Sequence, residues 1–345
     1  MDTQQLVRAA FGPQAELTKE EGMEKGASSR RYRRLHLAGD GVPSSAVLME
    51  LPDEAMKSDE QTAGSVPGEL PFINMQKAMA ACGLPVPRVY LDAVRDGAVL
   101  LEDLGVETLN ARIAGRSAEE VEDWYAEAAD LLARMHQSMW PVPAGCQAQE
   151  REFDFSLLRW ELDHYREWGI EALRGQPLAT PEREALDGAF DELAREVAAL
   201  PRGFVHRDYQ SRNLMVTGPT PRARHLSIID FQDGLQGPRV YDLVALLNDS
   251  YVDLPPDVQS RVIERYARRT RIPRGEVQYE FDIITVQRKL KDGGRFVFID
   301  RVKGDPSYLP FVEKSFLRVR RVLERLPGHG ELKSALAAAD PVHFG

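Results

Sequence analysis

Two polar segments joined by a short hydrophobic hairpin pattern constrain this chain more than any other feature. The first, residues 206–213, reads HRDYQSRN, and the second, residues 230–233, reads DFQD. Between them, the pattern predicts a short strand at 214–216, a turn rich in Pro and Gly around 218–221, and a returning strand at 226–229. Such a hairpin delivers Asp230 beside Asn213.

The residue types in these segments suit phosphoryl transfer. That reaction needs the attacking hydroxyl held in line and the charge of the triphosphate neutralised, with little covalent help from the protein. We predict that Asp208 receives the proton of the substrate hydroxyl and that Asn213 and Asp230 hold Mg²⁺ on ATP, since Mg²⁺ prefers oxygen ligands. Either segment alone is a weak signal. In this order, on a hairpin of the right length and followed by YDLV at 241–244, the two are hard to explain as surface polar residues.

The same residues resemble the aminoglycoside phosphotransferase and choline kinase group of small-molecule kinases. Within that group, HRDYQSRNLMV, IIDFQDGLQGPRVYDLVALLNDSY and QRKLKDGGRFVFIDRVKGDPSYLP look most like bacterial kinases of the cell-wall amino sugars N-acetylmuramate and N-acetylglucosamine. The resemblance runs from about Gly26 to about Tyr308. It implies phosphorylation of the anomeric hydroxyl of the sugar in peptidoglycan recycling, with ATP and Mg²⁺ as cofactors.

The resemblance implies an α+β, protein-kinase-like fold with a small β-rich N-terminal lobe and a large helical C-terminal lobe. We assign residues 1–101 to the first lobe, 102–105 to the hinge, and 106–345 to the helical lobe with the catalytic loop, metal loop and acceptor pocket. In the first lobe, strands are predicted at 15–17, 31–37, 45–50 and 98–101, a helix at 72–82, a polar turn at 20–29 and a loop at 53–69. Beyond it, helices are predicted at 118–137, 155–170, 182–200, 256–269, 277–290 and 308–326.

The nucleotide side departs from the usual kinase pattern. A kinase carries a Lys on its third strand, but the strand at 45–50 has Met49 where that Lys is expected, and the helix at 72–82 contains no Glu. On the neighbouring strand, alternation places Arg31 and Arg33 on one face and Arg34 on the other. We expect Arg31 or Arg34 to contact the ATP phosphates.

The resemblance also supplies the remaining nucleotide candidates and two structural residues. It places the hinge at 102–104, so the backbone of Glu102 and Leu104 is predicted to contact the adenine. It also gives His206 and Asp242 structural roles: His206 steadies the catalytic loop, and Asp242 accepts backbone hydrogen bonds from that loop.

The resemblance places the acceptor pocket on the helix that carries Glu161. A carboxylate there accepts hydrogen bonds from neighbouring sugar hydroxyls, whereas the alternative is a solvent-exposed Glu on an amphipathic helix. Arg288 is a candidate partner for the lactyl carboxylate of muramic acid. Gln232 and Asp233 are further substrate candidates, although Asp233 could instead contact the metal or cap the following turn.

Composition sets the outer limits. The chain has 345 residues, is 43% hydrophobic and 28% charged, and carries a net charge of −10. These values fit a protein large enough for two lobes and disfavour nucleic-acid or anionic membrane partners. Two cysteines, Cys82 and Cys146, form no disulfide framework. With no secretory signal or long apolar run, we expect a cytoplasmic enzyme whose partners are ATP and a sugar, with no obligate protein partner.

Two rival functions stay open from the sequence. The first is another small-molecule kinase, for an aminoglycoside, choline or a different hexose; Asp249 and Asp253 could meet a cationic acceptor of this kind. The second is a nucleotide-binding pseudokinase that acts as a regulator, which the missing strand Lys supports. The intact Asp208, Asn213 and Asp230 argue against the second.

Overall fold

The N-terminal part of the protein is a five-stranded antiparallel sheet with a helix on each face. The computed structural model describes residues 2–23, 30–51, 69–218 and 225–345. The sheet order is β1-β2-β3-β5-β4. The strands are β1 Glu16–Gly22, β2 Arg31–Ala38, β3 Ser45–Glu50, β4 Val89–Ala93 and β5 Ala98–Glu102, and the helices are α1 Thr3–Phe11 and α2 Pro71–Ala81.

The central strand β3 is apolar on both sides because both sides are covered. Ala46 and Leu48 belong to the small core beneath α1, whereas Val47 and Met49 belong to the large core that α2 shares with the helical lobe. Successive strand residues point to opposite faces, so a strand buried on both faces reads as one continuous apolar run. Met49 is completely buried.

The C-terminal part is mainly helical. Its helices are α3 Leu109–Ile113, α4 Ala118–Ser138, α5 Phe155–His164, α6 Ala172–Arg174, α7 Thr180–Ala199, α8 Tyr241–Leu247, α9 Pro256–Thr270, α10 Arg274–Lys303, α11 Pro310–Leu323, α12 Gly330–Ala339 and α13 Pro341–Phe344. Two small antiparallel ladders carry the polar loops: β6 Arg202–Val205 with β9 Leu235–Pro238, and β7 Leu214–Val216 with β8 Leu226–Ile228. No helix in the described part of the chain has the length and apolar character needed to cross a bilayer.

Several predicted boundaries differ from the structure. The predicted turn at 20–29 was wrong at its start, because β1 continues to Gly22. The predicted helix at 155–170 is an α-helix only to His164 and continues as the π-helical segment Tyr165–Glu171. The rest of that turn (24–29), the predicted loop at 53–68 and the hairpin turn at 219–221 lie outside the described residues.

Candidate active site

The loop after β6 holds the predicted catalytic carboxylate, and Asp242 at the start of α8 fixes this loop. The Asp242 carboxylate accepts the backbone N–H of His206 at 2.7 Å and that of Arg207 at 3.0 Å. Arg207 has a φ of 77°, a left-handed conformation that is costly for a residue other than Gly. Asp242 is completely buried, so its two hydrogen bonds hold a strained turn in place directly before Asp208.

His206 connects this catalytic loop to the end of the neighbouring ladder. Its Nδ1 accepts the N–H of Asp208 at 3.3 Å, and its Nε2 donates to the carbonyl of Ile229 at 3.1 Å. Because Ile229 precedes Asp230, the ring ties the two predicted functional carboxylates to one another through their backbones.

Asn213 and Asp230 lie together, as their hairpin spacing predicts. The Asn213 amide donates to the carbonyl of Asp208 at 2.9 Å and to Asp230 Oδ2 at 3.4 Å. Asp230 itself has a φ of 63°, a left-handed conformation that is costly for a residue other than Gly, and it is exposed. Gln232 then bridges two carboxylates, donating to Asp230 Oδ1 at 3.0 Å and to Asp233 Oδ2 at 3.1 Å.

The electrostatics of this group suit a divalent cation. Desolvation by the surrounding protein raises the pKa of Asp230, and the charge of Asp208 raises it further. The described residues contain no group of three or more His, Cys, Asp or Glu side chains that could hold a metal ion. An ion here would therefore bind the carboxylate of Asp230, the amide oxygen of Asn213 and phosphate oxygens, which is a donor set that fits Mg²⁺.

Asp233 is engaged by side chains. Its Oδ1 lies 3.6 Å from the guanidinium of Arg151, which also donates to the carbonyl of Gln232 at 3.4 Å. Arg151 thus braces the segment after Asp230 from the side of the helical lobe.

On the nucleotide side, the sheet separates the two predicted arginines. Arg33 contacts Thr3 of α1 at 3.5 Å, so alternation places Arg31 on the α1 face as well, away from the cleft. The prediction that Arg31 reaches the phosphates does not fit this placement. Arg34 lies on the cleft face, where it donates to both oxygens of Asp103 at 2.7 and 3.0 Å and to the carbonyl of Gly105 at 2.9 Å.

The predicted hinge residues follow β5. The Glu102 carboxylate accepts the N–H of Arg88 at 3.1 Å, so its side chain is occupied on the β4 side of the sheet. Leu104 is half-buried, between Asp103 and Gly105. A contact of this segment with adenine would therefore come from the backbone.

On the acceptor side, Glu161 is completely buried. The solvent-exposed alternative for this residue was therefore wrong. Its Oε2 accepts the side-chain amide of Gln287 at 2.8 Å, and its Oε1 lies 3.6 Å from the guanidinium of Arg207. The residue faces the catalytic loop from below.

Arg288 on α10 lies under Asp208. Its Nη1 donates to the carbonyl of Arg207 at 2.9 Å, its Nη2 lies 3.7 Å from Asp208 Oδ1, and the guanidinium covers the ring of Tyr241. The side chain is only 1% exposed. Arg288 is thus a neighbour of the catalytic carboxylate itself, and an acidic substituent of a substrate would need a different partner.

Comparison with known proteins places this arrangement in a family. Residues 20–278 match the phosphotransferase enzyme family, APH. The chain belongs to this family. It is 32% identical over 283 residues to the N-acetylmuramate/N-acetylglucosamine kinase of Pseudomonas aeruginosa, covering 78% of this chain and 77% of that one. It is 29% identical over 321 residues to the protein of the same name from Pseudomonas putida, covering 90% and 85%.

Solved structures show the same fold for this phosphotransferase. The GDP complex of aminoglycoside 2'-phosphotransferase-IIIa superposes with a TM-score of 0.58 at 14% identity, covering 91% of this chain and 98% of that one. An ethanolamine kinase from Plasmodium vivax gives 0.55 at 12% identity, covering 90% and 84%. The α+β architecture is therefore the protein-kinase-like, two-lobed fold that the sequence predicted. The family match and the kinase relatives show that the chain is an enzyme.

The phosphotransferase has a second anchor for its catalytic loop that the sequence reasoning missed. Asp249, buried after α8, accepts the N–H of Ser211 at 2.9 Å and also the Ser211 hydroxyl. The interpretation of Asp249 as a pocket carboxylate for a cationic acceptor was therefore wrong. Asp253, the other carboxylate in that argument, is exposed and pairs with Lys314 at 2.6 Å. No residue pattern near Ser211 predicts this long-range contact with Asp249.

A cleft-facing pair on the N-terminal lobe was also missed. Tyr32, opposite Met49 in the sheet, packs against the large core. Burial raises the pKa of Tyr32, a hydrogen-bonded Arg30 lowers it, and the nearby charge of Asp230 raises it. Arg30 directly precedes β2 and hydrogen-bonds the Tyr32 side chain.

Proposed function

We propose that this phosphotransferase transfers the terminal phosphoryl group of ATP to the anomeric hydroxyl of N-acetylmuramate or N-acetylglucosamine. The observation that carries the proposal is the assembly of Asp208, Asn213 and Asp230 at one cleft in a chain whose relatives, over most of their length, are kinases of these two sugars. The assembled site also favours an active enzyme over a pseudokinase.

In this proposal, each residue has a distinct task. Asp208 orients the anomeric hydroxyl and collects its proton late, since that hydroxyl is more acidic than an ordinary alcohol. Asp230 and Asn213 hold Mg²⁺, which neutralises charge on the phosphates when bound. His206 and Asp242 keep Asp208 in position through the backbone. Glu161 supplies an acceptor for sugar hydroxyls from the floor of the helical lobe.

Because β3 has no Lys, a different cation has to contact the nucleotide phosphates. We assign this task to Arg34 on the cleft face of β2 and to Arg30, which directly precedes β2 and hydrogen-bonds Tyr32, rather than to Arg31. Nucleotide choice is part of the proposal, because a related fold was solved with GDP. ATP and GTP therefore belong in the same assay.

The test is consumption of ATP or GTP by the purified protein with a panel of acceptors: N-acetylmuramate, N-acetylglucosamine, glucose, kanamycin and choline. We expect ATP-dependent turnover with one or both amino sugars and a sugar 1-phosphate as the product, identified by phosphorus NMR. Turnover with kanamycin or choline alone would establish the rival small-molecule kinase. Tight nucleotide binding without turnover of any acceptor would establish the pseudokinase.

A further inference from the structure

A cluster of buried charges lies beneath Asp208, and its charges do not balance. Ion contacts of 4.0 Å or less connect its members into two groups, which the hydrogen bond from Arg288 to the carbonyl of Arg207 joins. One group pairs Arg207 with Glu161. In the other, the described residues place three cations, Arg288, Lys289 and Lys291, against two carboxylates, Asp208 and Asp292. A surplus of buried positive charge is costly unless an anion joins it.

Within this cluster, Lys291 is the cation with the weakest contacts to other groups of the protein. Asp292 contacts Lys289 at 2.8 Å but Lys291 only at 3.6 Å, which is beyond hydrogen-bond distance. Arg288 is committed to the carbonyl of Arg207, and Lys289 also donates to Ser250. The Lys291 side chain is 14% exposed, so it is largely buried but keeps some access to solvent.

Lys291 lies one helical turn after Gln287, whose side-chain amide donates to Glu161, so it shares the face of α10 that is turned towards Glu161. Burial lowers the pKa of the Lys291 ammonium, but Tyr241, Glu161 and Asp292 raise it by more, so the net pKa lies above its ordinary value. The residue therefore stays charged at neutral pH. It follows Arg288 by three positions on α10, so the two side chains lie on one face of the helix, about one turn apart.

Two buried oxygens at this face of α10 point to a ligand that donates hydrogen bonds. Glu161 Oε1 and Gln287 Oε1 have no hydrogen-bond partner among the described residues, although both side chains are completely buried. Buried acceptors without a donor are uncommon in native proteins. Sugar hydroxyls and an acetamido N–H are donors that would satisfy them.

We propose that Lys291 determines acceptor specificity by binding an acidic substituent of the sugar, while Glu161 and Gln287 accept hydrogen bonds from its neutral donors. This inference rests on the proposed function. Asp208 lies at the Arg288 end of the helix face, and Lys291 lies one helical turn, roughly 5 Å, further along. A pyranose ring with its anomeric hydroxyl at Asp208 would present an acidic ether group on its far side towards Lys291. The lactyl carboxylate of N-acetylmuramate is such a group, and N-acetylglucosamine lacks it.

The test combines a change in the protein with a change in the substrate. We compare wild type, Lys291→Gln and Lys291→Arg on N-acetylmuramate, on its neutral lactyl amide and on N-acetylglucosamine. The matched control is Arg301→Gln, which removes a cation from the exposed end of the same helix. Thermal unfolding of each variant reports whether the fold is retained.

We expect wild type to prefer N-acetylmuramate over its amide by about ten- to hundred-fold in kcat/KM, the usual scale for a hydrogen bond to a charged group. Lys291→Gln should abolish this preference by raising the KM for N-acetylmuramate, while kcat/KM for N-acetylglucosamine stays within about three-fold of wild type. Lys291→Arg should restore most of the preference. Arg301→Gln behaves as wild type.

Three results would overturn the inference. If wild type has equal kcat/KM values for N-acetylmuramate and its amide, the inference is wrong. This result needs no variant, so it holds even if Lys291→Gln fails to fold. Equal losses on all three substrates in a folded Lys291→Gln would show a structural role. Failure of wild type to phosphorylate either amino sugar would remove the proposed function and the inference together, whereas the first two results leave the proposed function intact.

Discussion

At the residue scale, Asp208 is positioned mainly by its backbone. Its N–H donates to His206, its carbonyl accepts from Asn213, and its carboxylate, 43% exposed, has Arg288 at 3.7 Å and the Gln210 amide at 3.5 Å. A change confined to the carboxylate therefore leaves the main anchors of the loop intact. A substitution of the Asp208 carboxylate therefore tests its chemical role without moving the loop.

We expect Asp208→Asn to fold normally and to lower turnover by about 10²–10⁴-fold, the usual contribution of a general base. Steady-state kinetics at saturating ATP and acceptor measure the effect, and thermal unfolding checks the fold. Asp253→Asn, which neutralises an exposed carboxylate elsewhere in the same lobe, serves as the control and retains full turnover. Near wild-type turnover in Asp208→Asn would remove Asp208 from its proposed role.

Glu161→Gln tests the acceptor side with almost no change in shape. Because a charged acceptor forms stronger hydrogen bonds than a neutral amide, we expect kcat/KM for N-acetylglucosamine to fall about five- to thirty-fold, with the KM for ATP nearly unchanged. Glu167→Gln neutralises an exposed carboxylate on the adjoining π-helical segment and is the matched control. If every amino sugar gives unchanged kinetics, Glu161 is a structural residue of the lobe.

The sequence predicted Asp208, Asn213 and Asp230 because their relative positions depend on one loop and one hairpin. The same reasoning could not predict the contact of Asp249 with Ser211 or that of Gln287 with Glu161. Asp249 meets Ser211 only through the packing of α8, and Gln287 meets Glu161 only because α10 crosses α5. Contacts of this kind depend on the tertiary arrangement, which residue spacing does not encode.

At the element scale, α4 and α9 are joined by one carboxylate that two arginines share. Asp130 accepts hydrogen bonds from Arg265 at 2.8 Å and from Arg269 at 2.9 and 2.7 Å. Burial by itself raises the pKa of Asp130, but the two guanidinium groups lower it by more, so the net pKa is below its ordinary value. Asp130 therefore stabilises the fold in its ionised form.

The sign of the pH dependence follows. A carboxylate with a depressed folded pKa contributes stability above its unfolded pKa of about 3.9 and loses it as pH falls through the lower folded pKa. We expect Asp130→Asn to lower the free energy of unfolding by about 1 kcal/mol at pH 7, since the arginines are partly exposed, and the difference from wild type to shrink below about pH 4. Urea unfolding from pH 7 down to the limit of folding measures it.

The control for this element is Asp123→Asn, which removes an exposed charge from the same helix. It should show little effect at any of these pH values. A difference between Asp130→Asn and wild type that stays constant down to pH 3 would show that the stabilisation does not depend on the ionised carboxylate.

Helical periodicity predicted α4, α7 and α9 to within a few residues, because each buries one apolar face. It failed at α10, where the prediction ended at Leu290 before the pair Gly293 and Gly294, yet the helix continues to Lys303. A Cβ on Gly294 would lie 2.6 Å from the Cα of Tyr165, so this glycine permits close packing against the π-helical segment. The pattern also missed α1, α12 and the short strands β4 and β9. The partner of β9 is β6, which lies far back in the chain, whereas β4 pairs with the next strand, β5.

At the scale of the whole molecule, the two lobes meet at a short segment that the N-terminal sheet clamps from one side. Arg34 on β2 holds both oxygens of Asp103 and the carbonyl of Gly105, while the Gly105 N–H donates to Asp103 at 3.0 Å. The two side chains are only 15% and 7% exposed. A bidentate pair in such a partly buried position fixes the angle at which the chain leaves the sheet.

This clamp gives Arg34 a task that competes with phosphate binding, and a double-mutant cycle separates the two. If Arg34 acts through Asp103, Arg34→Met and Asp103→Asn should each raise the KM for ATP by a similar factor, and the double variant should be no worse than either. The coupling would then be about 1–3 kcal/mol, as for residues in direct contact. The turnover number at saturating ATP and the KM for the sugar should change little, because the catalytic residues and the proposed acceptor site lie in the helical lobe.

The measurement is the steady-state kinetics of the four proteins of the cycle. Arg31→Met, on the α1 face of the same strand, is the control. If Arg34→Met alone lowers turnover by orders of magnitude while Asp103→Asn stays near wild type, Arg34 contacts the phosphates and the hinge clamp is secondary.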